Sequence, residues 1–112
     1  MAAAAACMEL AAHAQPKSSG DAQAGRAFAI EACTGCHIVA ADQPFKPIYA
    51  GTIHPPDFKD IANKPDMTPA TLIHYLDALP TIPNHPHMAN ADLTPEQTRY
   101  VAAYILSLHG KP

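Results

Sequence analysis

A chain of 112 residues makes one domain and rarely two. Seven Lys and Arg against ten Asp and Glu give a formal charge of -3, and no basic run exists, so no nucleic-acid footprint is expected. No apolar run is long enough to span a bilayer, and twelve prolines with only five glycines point to ordered, extended loops rather than sheet.

Residues 1–14 have the look of a secretory leader, with Ala12-His13-Ala14 matching the small-x-small cleavage pattern before Gln15. No Lys or Arg precedes the apolar part and Glu9 interrupts it, so a disordered alanine-rich extension is an equal reading. Cys7 after the alanine run is a weak lipoprotein signal, because Ala4 stands where leucine is expected. Residues 15–20 read as a polar linker. The expected division is residues 1–20 as leader remnant or disordered extension and residues 21–112 as the folded domain.

Asp21 suits an N-cap, and residues 22–32 have helical composition. Ala22, Gly25, Ala29 and Ala32 recur at three- and four-residue spacing, so one face carries only small side chains and lets another helix approach closely. Gly25 costs about 1 kcal/mol of helix propensity relative to Ala, which a crossing backbone would explain. Phe28 and Ile30 lie off that stripe. The helix runs directly into Cys33-Thr34-Gly35-Cys36-His37.

The pattern C-x-x-C-H is the attachment site for c-type haem. Each thiol can add to one vinyl group of the porphyrin, and the next residue offers an imidazole as proximal ligand. Thr34 and Gly35 are small enough for the turn to lie flat on the ring. A zinc half-site would want a second ligand pair, and the remaining cysteine is the distant Cys7. A redox dithiol of thioredoxin type would want strand patterns nearby, and the sequence has none. One such motif means one haem, whose burial would supply much of the core a chain this short lacks.

Residues 38–53 contain Pro44, Pro47 and Gly51 without apolar periodicity and read as an irregular loop. Pro55-Pro56-Asp57-Phe58-Lys59-Asp60-Ile61-Ala62 follows. Thr68 and Pro69 suit a cap and first position of a helix on which Leu72, Ile73, Leu76 and Leu79 form an apolar face, and Pro80 stops it. His74 and Tyr75 lie on the same helix, the tyrosine either at a haem propionate or at the surface. Residues 81–93 are extended and proline-rich, as a segment crossing the open face of a haem must be. Met88 there offers a soft neutral sulfur that raises the reduction potential relative to a second histidine. His85 and His87 are alternative ligands. Thr94-Pro95-Glu96-Gln97 is a capping-box start, Val101, Tyr104, Ile105 and Leu108 form the buried face of the last helix, and Gly110 and Pro112 end it.

In this order of parts the chain resembles a small bacterial class I cytochrome c. Gly25 lies eight residues before Cys33, where that family has its helix-crossing glycine. Tyr104 falls where the family places the aromatic residue of the crossing. The family's aromatic four before the first cysteine is replaced by Ala29, with Phe28 one position off. The family's proline, x, large apolar segment is similar to Pro56-Asp57-Phe58. The resemblance implies that the Pro56 carbonyl accepts the Nδ1 hydrogen of His37, with Pro47 as the second candidate, and that Phe58 lies against the cofactor. Met88 stands six residues before Thr94, the usual place of the distal ligand, but Ala89 replaces the proline that normally follows it.

What the resemblance implies is an all-α class I cytochrome c fold, with three main helices and loops around one haem c held through Cys33 and Cys36. Iron would be ligated by His37 and Met88. The expected function is transfer of one electron between redox proteins that dock transiently at the exposed haem edge, with no enzymatic reaction of its own. Covalent haem attachment in bacteria implies export to the periplasm. The alternatives are the cytochrome subunit of a larger dehydrogenase or oxidase complex, with a membrane-associated complex among the partners, and a haem sensor or enzyme with an open or bis-His distal site. A zinc or dithiol module would follow if the motif were coincidence.

Overall fold

The computed structural model describes residues 17–48, 54–78, 88 and 92–111. Four helices and no strand occur among them: α1 (Lys17–Ala32), α2 (Phe58–Ala62), α3 (Pro69–Ala78) and α4 (Pro95–Ser107). The three long ones are α1, α3 and α4, and α2 is a single short turn of five residues.

The last helix is the hub, since α1, α2 and α3 each pack on α4 and α1 does so most extensively. Its start is fixed by reciprocal hydrogen bonds: Gln97 N donates to Thr94 Oγ1 at 3.1 Å, and Thr94 N donates to Gln97 Oε1 at 2.9 Å, with Pro95 in the first helical position. Such a cap stabilises by about 1 kcal/mol. Val101, Ala102, Tyr104 and Ile105 form the buried face of α4. At the other end Gly110 takes φ +73°. That left-handed conformation suits glycine and closes the helix. Thr68 caps α3 by accepting from Thr71 N at 3.1 Å, and Leu72 is the residue α3 buries most deeply.

Gly25 of α1 is buried against the last helix. A Cβ there would fall onto the Tyr100 carbonyl oxygen and 2.8 Å from Tyr104 Cβ. Only glycine lets the two backbones come this close. Ala29, one turn later, is fully buried on the same contact.

The start of α1 departs from the sequence expectation. The helix begins at Lys17, and Asp21 lies inside it rather than capping it. Asp21 Oδ2 instead lies 3.4 Å from Arg99 Nε of α4, an ion pair across the crossing. The physical reason is local: residues 17–20 hold no proline, and Gly20 alone costs only about 1 kcal/mol of helix propensity, so the helix extends back past Asp21.

Candidate haem-attachment site

The attachment motif is one more helical turn of α1. Cys33 N donates to Ala29 O at 2.9 Å, and the Cys33 carbonyl then accepts from Cys36 N at 3.2 Å and His37 N at 2.9 Å. Residues three and four apart on a helical turn share a face, so Cys33, Cys36 and His37 point to one side. Thr34 turns the other way, buried, with its hydroxyl donating to Ile30 O at 2.8 Å. Gly35 has no neighbour within 4 Å of where a Cβ would stand, so the outer surface of the turn is bare.

Both cysteines are free thiols, Cys33 half-buried and Cys36 exposed. Burial first, and the neighbouring Cys36 second, push the Cys33 thiol up to about 11. A redox dithiol needs a nucleophile with a lowered pKa, and Cys33 is displaced the opposite way. Among the described residues no group of three or more His, Cys, Asp or Glu could hold a metal ion, so no zinc site is assembled around the pair.

His37 is buried, and its Nδ1 lies 2.8 Å from Pro56 O. A carbonyl only accepts, so Nδ1 carries the proton and Nε2 keeps the lone pair a metal would take. The carbonyl that meets His37 belongs to Pro56, not Pro47. The two segments are brought together by a backbone bond, Phe58 N to Ile38 O at 2.9 Å. Phe58 is buried at the start of α2, its ring centroid 5.4 Å from that of His37 and 6.3 Å from that of Tyr104. The imidazole is thus fixed on one side by a hydrogen bond and on another by an aromatic wall. Two thiols and one free imidazole nitrogen on a common face are the donor set a covalent haem requires, and the residues present fit it. Of the distal segment, Met88 is half-buried at a bend, whereas His85, His87 and Ala89 lie outside the described residues.

Two contributors have no signature in the motif. Tyr104 O–H donates to Val39 O at 2.6 Å, joining α4 to the loop after His37. Gln43 is buried and bonded to that same loop. It is the sole Asn or Gln between Gln23 and Asn63, but its partners are backbone atoms, so no sequence pattern singles it out. The loop is also tied to α1 by an exposed ion pair, Arg26 to Asp42 at 2.7 Å. At the far end, His109 Nδ1 donates to Ala62 O at 2.9 Å and Gly110 N to Asn63 Oδ1 at 2.9 Å, latching α4 to α2.

The Tyr104 contact gives a pH dependence. Burial raises the phenol above its ordinary 10.0, Arg26 opposing and Asp42 adding to the rise. The neutral phenol is therefore favoured in the fold. Its contribution is fully present below pH 10 and is lost as pH rises through the raised value. Alkaline unfolding curves of wild type and Tyr104→Phe should diverge at neutral pH and converge above pH 10. A constant gap between them across that range would show that ionisation of Tyr104 is not coupled to folding.

Neither the curated proteins nor the solved structures yielded a match. Among the described residues no helix is long and apolar enough to cross a membrane. A family model described as Cytochrome c matches residues 22–109, from inside the first helix to the turn after the last. With that span matched, the chain belongs to the cytochrome c family: an all-α, haem-binding electron-transfer protein whose covalent cofactor is haem c.

Proposed function

We propose that this protein is a single-haem periplasmic carrier of one electron between redox proteins, with no catalytic reaction of its own. Cys33 and Cys36 would hold the haem through thioether bonds, His37 and Met88 would ligate its iron, and Pro56 and Phe58 back the His37 imidazole. Residues 21–112 form the working domain, with the first turn of α1 reaching back to Lys17, and the segment ahead of that helix is a leader remnant or extension. The observation that carries the reading is the 2.8 Å contact of His37 Nδ1 with Pro56 O. A histidine held this way is orientated, and its donor basicity is raised, before any metal arrives.

Haem supplies a one-electron ferric/ferrous couple when bound. The chain's own part is to keep that couple dry and rigid. His37 cannot rotate without losing the Pro56 carbonyl, and Phe58 denies water one side of the imidazole. Met88, half-buried, would offer the iron a neutral thioether. Ligation that barely changes between redox states favours fast electron exchange over ligand chemistry. The acidic balance, formally -3, suits a basic docking face on a partner.

The test is an optical spectrum of the haem-loaded protein, oxidised and reduced, including the weak near-infrared band of iron–methionine charge transfer. Met88→Ala should abolish that band and lower the reduction potential by at least about 59 mV, tenfold for one electron. A wild-type spectrum without the band transfers the distal position to His85 or His87, or leaves it open. Carbon monoxide binding to the reduced wild type at neutral pH would identify the open site and with it a sensor or enzyme. Co-purification with a dehydrogenase or oxidase would make the chain a subunit rather than a free carrier.

A further inference from the structure

The loop leaving His37 is organised by one side chain. Gln43, 7% exposed, uses its full amide. Its Oε1 accepts from Val39 N at 2.7 Å and Ala40 N at 3.1 Å. Its Nε2 donates to Phe45 O at 2.7 Å and makes a long contact with His37 O at 3.5 Å. An amide has two donor hydrogens and two acceptor lone pairs, so Gln43 has no capacity left. The neighbouring peptides are held from outside as well: Val39 O accepts from Tyr104 O–H, and Ile38 O accepts from Phe58 N. Phe58 is two residues from Pro56, so the segment gripped by Gln43 is the one against which the Pro56 carbonyl is registered.

We infer that Gln43 is a positioning residue for the His37 imidazole. By fixing residues 37–40 it holds His37 Nδ1 at hydrogen-bonding distance from Pro56 O, and so sets how strongly Nε2 can donate. The inference rests on His37 being the proximal ligand. No shorter or apolar side chain can do this, because Val39 N–H would be left buried, and Ala40 N–H half-buried, without acceptors. Glutamate separates the two halves of the amide. At neutral pH it keeps the acceptor for Val39 and Ala40 but turns a carboxylate oxygen on Phe45 O and His37 O.

The experiment uses the haem-loaded protein and measures two quantities that general loosening of the fold does not move together. They are the exchange rate of the His37 Nδ1 hydrogen by NMR and the reduction potential. Gln43→Leu should speed exchange by about tenfold, as expected for loss of one neutral hydrogen bond, and raise the potential as imidazole donation weakens. Gln43→Glu should also speed exchange, by less, and because its added negative charge by itself favours the oxidised iron, its exchange rate rather than its potential carries the test if the leucine variant does not fold. The control is Asn63→Ala, which removes the bonds to Lys59 O and from Gly110 N at the far end of α2. It should lower stability and leave both quantities unchanged. Equal acceleration in the control, or unchanged exchange in both Gln43 variants, overturns the inference while His37 ligation stands. A wild-type protein whose His37 resonances show no haem-induced shift overturns the ligation itself, and the inference with it.

Discussion

Gly25→Ala should destabilise the protein by about 2–3 kcal/mol, although alanine is the better helix former by about 1 kcal/mol. The two effects have opposite signs, and geometry decides which wins. The added methyl would stand on the Tyr100 carbonyl oxygen and 2.8 Å from Tyr104 Cβ. The first of these is backbone within α4, which cannot swing aside as the end of a flexible side chain could. The helices must separate, and α4 is the element on which all the others pack. Separation also pulls Tyr104 from Val39 O, so the damage reaches the loop behind His37. Urea unfolding of the haem-loaded protein is the measurement, with Gln23→Ala on the exposed face of α1 as control, expected within about 0.5 kcal/mol of wild type. A Gly25→Ala protein as stable as wild type would mean the crossing can open without loss.

The features legible in the sequence are those in which a few neighbouring residues decide the outcome. Thr94, Pro95 and Gln97 start a helix by chemistry contained in four positions. The stripe of Ala22, Gly25, Ala29 and Ala32 announces a close crossing because small side chains at helical spacing have little other use, although Ala32 at its end is exposed. Cys33, Cys36 and His37 share a face through one turn's hydrogen bonds. What stayed hidden depends on partners far away in the chain. Asp21 has the composition of a cap, but Arg99 on α4 takes its carboxylate, and nothing within α1 foretells that. The choice between Pro47 and Pro56 could not be made from spacing, because loop length is a poor ruler. It is made by the bond between Phe58 N and Ile38 O. Gln43 was invisible for a related reason: its four partners are backbone atoms, which every sequence has.

Phe58→Ala carries the second large expectation, a loss of about 3–5 kcal/mol of stability together with a fall in reduction potential. The stability term follows from burial, since Phe58 is 4% exposed and stands between His37 and Tyr104. The potential term follows from the 5.4 Å approach of its ring to that of His37. Removing the ring lets water reach the proximal imidazole, and a wetter, more polar surrounding favours the more highly charged oxidised state. Phe58→Leu keeps an apolar wall with fewer atoms, so it should show a smaller loss of stability and little change in potential. The sign separates this change from that at Gln43, where a loosened His37 hydrogen bond raises the potential. Voltammetry on both Phe58 variants beside urea melts tests the two parts independently. Stability lost in Phe58→Ala at constant potential would make Phe58 a core residue with no hold on the proximal ligand. A potential that falls equally in Phe58→Leu would mean that the aromatic face itself, and not the exclusion of water, sets the environment of His37.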